Sequence, residues 1–337
     1  MNQWAFFDEL KAGTVRNVYL FFGPEDFIRR SAMTALQKKT LAPGLESMNC
    51  TTLSAPTAQQ VIESCETLPM MSETRMVIVR DCALLAAGKA KDEAQESAAL
   101  CDYLPHVPQT TCLVFDAGTA VDKRKKLSQA LVKLPGAVSF DTLDDASLYK
   151  WMNQQLRSLG RRMDRTACEA LAFQSGRDLT LLSGELAKLA AYCGEREEIT
   201  CADVEAVATR TAESTVFAMA DALSAGKASE ALGLLGDLLA AGESRLGILA
   251  MITRHYRQLM YLCALRDARA PQAQIARELG VPTFAAGRLL RQAGRRTYEQ
   301  MRACVELCVQ ADYDIKSGAA REDAALFRVM MKLLDQK

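Results

Sequence analysis

Hydrophobic and polar positions change their rhythm once along this chain. Up to about residue 143, short continuous apolar runs rich in β-branched and aromatic residues alternate with segments of helical period. The runs 17–22, 49–53, 75–80, 111–115 and 137–140 predict five strands. Helices are predicted between them over about 25–40, 57–67, 92–104 and 122–133. Strands apolar on both faces and separated by helices belong to a parallel sheet covered on both sides. After about 144 the strands are expected to stop. Leu179, Leu182, Leu186 and Leu189 then recur at helical spacing, with Glu185 and Lys188 on another face. Helices are predicted near 216–225, 227–241, 244–268, 272–279, 284–293, 296–316 and 322–335. In the longest, Leu246, Leu249, Ile252, Tyr256, Leu259 and Cys263 form one apolar stripe. Thr57 with Gln60, and Thr200 with Asp203, have the spacing of capping boxes. Gly226, Gly242, Pro271, Gly280-Val281-Pro282 and Gly318 punctuate the helical part.

The expected organisation is therefore an α/β domain over 1–143, a small helical module over 144–212 and a larger helical bundle over 213–337. A length of 337 residues agrees with more than one core. Lysine plus arginine and aspartate plus glutamate both number 41, which argues against a dedicated, strongly basic nucleic-acid binder. No run of 18 apolar residues predicts a membrane span, and the first residues have no basic stretch or small-residue cleavage site typical of a secretory signal. Eleven cysteines without a Cys-x-x-Cys pair, and only two histidines, predict neither a metal site nor a disulfide framework. An unpatterned set of this kind fits a reducing cytoplasm.

An α/β domain followed by helical modules raises the question of a nucleotide site. A P-loop needs Gly-x-x-x-x-Gly-Lys followed by Ser or Thr after the first strand, so that backbone N–H groups, the lysine and a magnesium-bound hydroxyl can hold phosphate. The stretch in that place is Gly23-Pro24-Glu25-Asp26-Phe27-Ile28-Arg29-Arg30. Ile28, Arg29 and Arg30 occupy the second glycine, lysine and hydroxyl positions. Glu25 and Asp26 suit a helix N-terminus and repel phosphate. Asp116 closes the strand that would carry the magnesium-binding carboxylate, and Ala117 stands where a catalytic glutamate would be wanted. The two arginines read as solvated side chains of a first helical turn. Neither nucleotide nor any other cofactor is expected.

Several stretches carry a family resemblance. Val18-Tyr19-Leu20-Phe21-Phe22-Gly23-Pro24-Glu25 resembles the N-terminal signature of the delta subunit of the bacterial DNA polymerase III clamp loader. Leu68-Pro69-Met70-Met71-Ser72-Glu73-Thr74-Arg75 resembles that family's Leu-Pro-x-hydrophobic-Ser-x-x-Arg segment. Asp178-Leu179 with Glu185-Leu186-Ala187-Lys188-Leu189, then Ile199-Thr200 with Asp203-Val204, resemble its helical module. Phe217-Ala218-Met219-Ala220-Asp221-Ala222-Leu223 and Asp312-Tyr313-Asp314-Ile315-Lys316-Ser317-Gly318 resemble the opening and the near-terminal segment of its third domain. The matches run in chain order. They imply an AAA+-like domain without a working ATP site, a lid-like module and a collar. By the same resemblance, the chain binds and opens the sliding clamp (the beta subunit) during loading onto primed DNA. Its other partners would be loader subunits of the gamma/tau and delta-prime type, met through the collar, and primer-template DNA within the assembly. It would be an accessory subunit of a nucleotidyltransferase holoenzyme, with no catalytic site of its own.

Leu68, Pro69, Met70 and Met71 are the expected clamp contact. Pro69 has no N–H and disfavours helix at Leu68, so a turn should separate the helix from the strand at Arg75. Two adjacent methionines point in different directions, which leaves at least one outside the domain's own core. On the residues alone the pair also fits an apolar cap on the sheet. Met70-Met71 departs from the aliphatic–aromatic pair of many relatives, and Pro24 fills a variable position. Lys123, Arg124, Lys125, Lys126, Arg161, Arg162, Arg295 and Arg296, with Arg288 and Arg291, are candidate contacts to DNA phosphates. A diverged ATPase using Arg29 and Asp116, or a helical DNA-binding module, are the competing readings.

Overall fold

The computed structural model describes residues 1–88, 93–281 and 283–335, and the side chains of Thr283 and Phe284 are not described. Pro282, and residue 92 at the start of the helix expected over 92–104, lie outside the described residues. The chain forms two compact units, Met1–Asp145 and Ala146–Lys337.

The first unit runs α1 (Gln3–Lys11), β1 (Val18–Phe22), α2 (Asp26–Thr40), α3 (Glu46–Asn49), β2 (Cys50–Ser54), α4 (Ala58–Glu66), β3 (Arg75–Arg80), α5 (Glu93–Tyr103), β4 (Thr111–Asp116), α6 (Lys126–Val132) and β5 (Ala137–Ser139). The five strands form one parallel sheet in the order β2-β3-β4-β1-β5. β3 and β4 are buried along almost their whole length, as strands covered on both faces must be. On one side Val77, Val79, Leu113 and Phe115 pack with Val61 of α4, Leu100 of α5 and Leu127 of α6. Elsewhere in this unit Phe6, Tyr19, Phe21 and Phe140 meet edge to face, the arrangement favoured by ring quadrupoles.

Local chemistry sets several element ends. Thr57 and Gln60 form the expected capping box of α4. α6 starts four residues later than its apolar period implies. The Asp122 carboxylate accepts the Arg124 backbone N–H at 3.0 Å and its guanidinium at 2.9 and 2.8 Å, holding 122–124 as a turn.

The second unit contains α7 (Asp145–Ser158), whose first residue closes the first unit, then β6 (Arg162–Met163), α8 (Arg165–Ser175), α9 (Leu179–Tyr192), β7 (Glu198–Ile199), α10 (Cys201–Val207), α11 (Ala212–Ser224), α12 (Ala228–Ala240), α13 (Arg245–Asp267), α14 (Gln272–Leu279), α15 (Thr283–Ala293), α16 (Tyr298–Lys316) and α17 (Glu322–Asp335). Strands do not stop at 144: β6 and β7 pair in parallel, Arg162 with Glu198 and Met163 with Ile199. Two residues are too few for an alternation to register in sequence. α11 begins at Ala212, inside the expected break, because the Thr211 side chain accepts the Ser214 N–H at 3.2 Å. Gln174 ties the helices on either side of that point together. Its carbonyl accepts from Thr211 N–H at 2.9 Å and from Ser214 Oγ at 2.8 Å, and its amide donates to Ala208 at 2.6 Å. The stripe on α13 is buried from Leu249 to Cys263, while Leu246 is half-buried and Ile248 takes its place in the core.

A histidine lies inside this helical core. His255 on α13 is hydrogen-bonded to Gln292 on α15 at 2.8 Å and packs edge to face on Phe217 and Tyr256. Burial lowers its pKa from 6.5 to about 4, against smaller opposing effects of the Gln292 bond and the Asp221 carboxylate. Asp221 is itself paired with Arg288 at 3.0 Å. Between pH 6.5 and 4 the unfolded chain takes a proton that the folded chain refuses. Stability is therefore lost as pH falls through that window, at a slope of at most about 1.4 kcal/mol per pH unit from this residue. Urea unfolding from pH 7 to 4 should show that component in the native chain and lack it in His255→Gln.

None of the eleven cysteines, all of them described, is joined in a disulfide; eight are buried and three half-buried. They behave as small core side chains, and burial pushes the Cys112 thiol up to about 12. Among the described residues no group of three or more His, Cys, Asp or Glu has the arrangement of a metal site, and no helix is long and apolar enough to cross a membrane.

Candidate functional site

Two corners of the sheet carry the residues singled out from sequence. The first lies between β1 and α2. Gly23 turns the chain at φ +134°, its N–H donating to Gly118 at 2.9 Å, while Glu25 N–H donates to Phe140 at 3.0 Å. A Cβ on Gly23 would stand 2.3 Å from the Phe140 carbonyl oxygen. The turn is thus set by the close approach of the 140 backbone.

Ile28 is part of the core and Arg30 is exposed, ion-paired with Asp26. Arg29 is not the solvated side chain its position implied. It is buried, and its guanidinium bridges Asp26 in the first turn of α2 and Asp116 at the end of β4. Arg80 Nε lies 3.7 Å from the other oxygen of Asp116. Where a P-loop protein directs a lysine and a metal ion at phosphate, this chain directs an arginine at its own two carboxylates. The period-3.6 pattern could not show this, because Asp116 is 87 positions away.

The second corner is the connection from α4 to β3. α4 ends at Glu66, and residues 67–74 form the turn that Pro69 predicted. Leu68, Met70 and Met71 are 77%, 57% and 86% exposed, and Pro69 is half-buried. The methionines do not cap the sheet of their own domain. The backbone beneath them is held firmly. Buried Arg75 donates to the Thr67 carbonyl at 3.0 Å and to Thr51 Oγ1 at 2.9 Å. Thr74 Oγ1 donates to the Thr40 carbonyl, and Ser72 Oγ donates to the Thr74 carbonyl at 3.1 Å. Asn49, at the end of α3, is 1% exposed and brackets Met70. Its Oδ1 accepts the Met70 N–H at 2.7 Å and its Nδ2 donates to the Met70 carbonyl at 2.9 Å. Met71 has φ +52°, a left-handed conformation that costs a residue with a side chain roughly 1–2 kcal/mol. Such a conformation persists only where its surroundings impose it. Sequence reasoning missed Asn49. The sequence pattern makes it the first residue of the strand expected over 49–53, whereas it ends α3.

The structure distributes the basic candidates unevenly. Lys125 is buried, with Nζ donating to Ala83 at 2.8 Å and lying 3.3 Å from Glu93, so it is a structural cation. Arg124 is exposed and paired with Asp122, whose carboxyl it holds down to about 2. Arg161 donates to the carbonyls of Gly160 and Gly194, and Arg162 lies 3.6 Å from Glu198. Arg296 donates to Gln292 at 3.0 Å. Arg288 pairs with Asp221 and lies over the rings of Phe173 and Phe217. Lys123, Lys126, Arg291 and Arg295 are exposed.

Comparison with known proteins bears on the family and the fold. A family model described as DNA polymerase III, delta subunit, matches residues 19–140, and one described as DNA polymerase III delta subunit, C-terminal domain, matches 213–333. The DNA polymerase III subunit delta of Bacillus subtilis (strain 168) is 26% identical over 329 residues, covering 96% of this chain and 95% of that protein. The solved structure of the Bacillus subtilis DNA clamp loader delta protein superposes with a TM-score of 0.60 at 26% identity, covering 99% of each chain. The parallel sheet followed by helical domains is the AAA+-like architecture of that protein. From its five-stranded sheet to its last helices, the chain belongs to the DNA polymerase III delta subunit family.

Proposed function

We propose that this clamp-loader subunit binds the DNA sliding clamp through the turn 67–74 and opens it during loading onto primed DNA, without an ATPase of its own. One observation carries the reading. Three large apolar side chains, Leu68, Met70 and Met71, stand exposed on a backbone that the domain holds rigidly from beneath. Exposed apolar side chains clustered on an ordered support mark a protein-binding surface. Methionine, unbranched and polarisable, fits a partner's pocket with little strain. Pre-ordering the turn removes part of the entropy that binding otherwise costs.

The Gly23 corner supports the second half of the proposal. Binding a nucleotide phosphate there would have to draw the buried Arg29 guanidinium away from Asp26 and Asp116, the two half-buried carboxylates that neutralise it. The collar reading is supported by exposed apolar side chains at helical spacing in the second unit: Val309 and Tyr313 on α16, and Phe327 and Met331 on α17. Partner subunits of the gamma/tau and delta-prime type are proposed to cover such positions, in a cytoplasmic assembly. Any contact with primer-template phosphates falls to basic residues that remain exposed, Lys123, Lys126 and Arg295, rather than to Lys125 or Arg161.

The test is to mix the purified chain with the sliding clamp of the same organism in the absence of nucleotide. A stable complex by gel filtration is expected, with no heat of MgATP binding to the chain alone by calorimetry. No complex would overturn the clamp-binding reading, and micromolar MgATP affinity abolished by Asp116→Ala would favour the diverged ATPase.

A further inference from the structure

We infer that Asn49 is a positioning residue for clamp binding: its amide sets the conformation of Met70 and Met71, so that the two side chains are presented before the clamp arrives. This rests on the reading of the 67–74 turn as the clamp contact.

A primary amide has one accepting oxygen and two N–H donors, the hydrogen-bonding complement of a peptide unit. Asn49 uses them fully in this way. Oδ1 accepts the Met70 N–H at 2.7 Å, and Nδ2 donates to the Met70 carbonyl at 2.9 Å and to the Leu45 carbonyl at 3.2 Å. The Leu45 bond fixes which end of the amide faces which group of Met70. Because the amide is buried, water does not compete for these bonds. Both main-chain groups of Met70 are thereby held by one side chain 21 positions away.

The conformation of the next residue depends on this grip. Met71 takes its left-handed turn immediately after the clamped peptide, and its side chain is the most exposed of the large apolar groups in the chain's described residues. Leu68 and Pro69 are held from the other side, where Arg75 donates to the carbonyl of Thr67. Arg75 therefore grips the turn at Thr67 and Asn49 grips it at Met70, next to Met71. No other residue type reproduces the contact. Aspartate keeps the acceptor for Met70 N–H and sets a second oxygen against two carbonyls, glutamine is too long by a methylene, and alanine offers nothing.

The experiment measures clamp affinity by surface plasmon resonance on the full chain, with melting temperature and amide hydrogen exchange on each variant. Asn49→Ala is expected to weaken clamp binding by about tenfold to a hundredfold, the effect of leaving a few residues to be ordered on binding. Exchange should quicken at 68–74 and stay slow in β3 and β4. Asn49→Asp, which keeps the acceptor for the Met70 N–H but turns a buried oxygen against the Met70 and Leu45 carbonyls, should bind no better than Asn49→Ala. Asn49→Ser, uncharged and smaller, decides the matter if Asn49→Ala does not fold. Native affinity in Asn49→Asp and Asn49→Ala, alongside loss of binding in Met70→Ser with Met71→Ser, would overturn the positioning role and leave the clamp contact standing. Native affinity in all of these variants would overturn the contact itself. Faster exchange across the whole sheet with unchanged affinity of the folded fraction would make Asn49 a stability residue and sink the inference.

Discussion

Changing Met70 and Met71 together to serine is expected to lower affinity for the sliding clamp by about two to four orders of magnitude, with the melting temperature almost unmoved. The figure comes from burial. Each methionine side chain contributes roughly 1.5–3 kcal/mol when taken fully out of water, and a tenfold change in affinity corresponds to about 1.4 kcal/mol. At 57% and 86% exposure both have most of that area still to bury. The same exposure explains why the fold should not notice the loss, since neither side chain fills space in the sheet's core. Titrating the clamp with native and doubly substituted chains, with circular dichroism melts in parallel, separates the outcomes. If the double variant melted early, the pair would be core. If it bound normally, the contact would lie elsewhere on the molecule.

Gly23→Ala is expected to destabilise the first unit by roughly 3–5 kcal/mol, a loss in the range reserved for backbone clashes in a packed site. The added Cβ would meet the oxygen, carbonyl carbon and nitrogen of Phe140 at 2.3, 2.6 and 2.7 Å. These are backbone atoms of a segment that also accepts the Glu25 N–H, so retreat would break the turn. At φ +134° the residue is moreover in a region that only glycine occupies freely. Gly118→Ala provides the contrast. Its φ is +69°, with open space where the Cβ would go, so only the left-handed backbone cost of roughly 1–2 kcal/mol applies. Guanidinium unfolding of both variants should show the greater loss of stability in Gly23→Ala. Equal losses would mean that Phe140 gives way easily. In this chain the glycine of the Gly-Pro-Glu turn serves the packing of β1 against the 140 segment, whatever becomes of phosphate.

The chain's own pattern determined the elements, because helices and strands are local. All five strands of the sheet lie where β-branched runs placed them, and α14 and α17 have the bounds that periodicity predicted. Both capping boxes read from Thr57 and Thr200 form, since the partners are three residues apart. Pro69 ended the helix before it for a reason internal to one residue. The missing lysine and hydroxyl after Gly23 were equally plain in the letters of the chain.

Only the tertiary structure decided what the charged and polar candidates do. Arg29 and Lys125 looked like solvated cations, and both are buried on partners that the sheet topology delivers: Asp116 from β4, and Ala83 with Glu93 from outside α6. The run 123–126 is one motif in sequence. In space it divides into a paired arginine, an internal lysine and two exposed lysines. Asn49 had no sequence signal, because its role depends on β2 and β3 lying side by side and bringing α3 under the turn at Met70. Periodicity reports which face of an element a residue occupies. A buried hydrogen bond or ion pair needs a second group from elsewhere in the chain, and folding alone brings the two within reach.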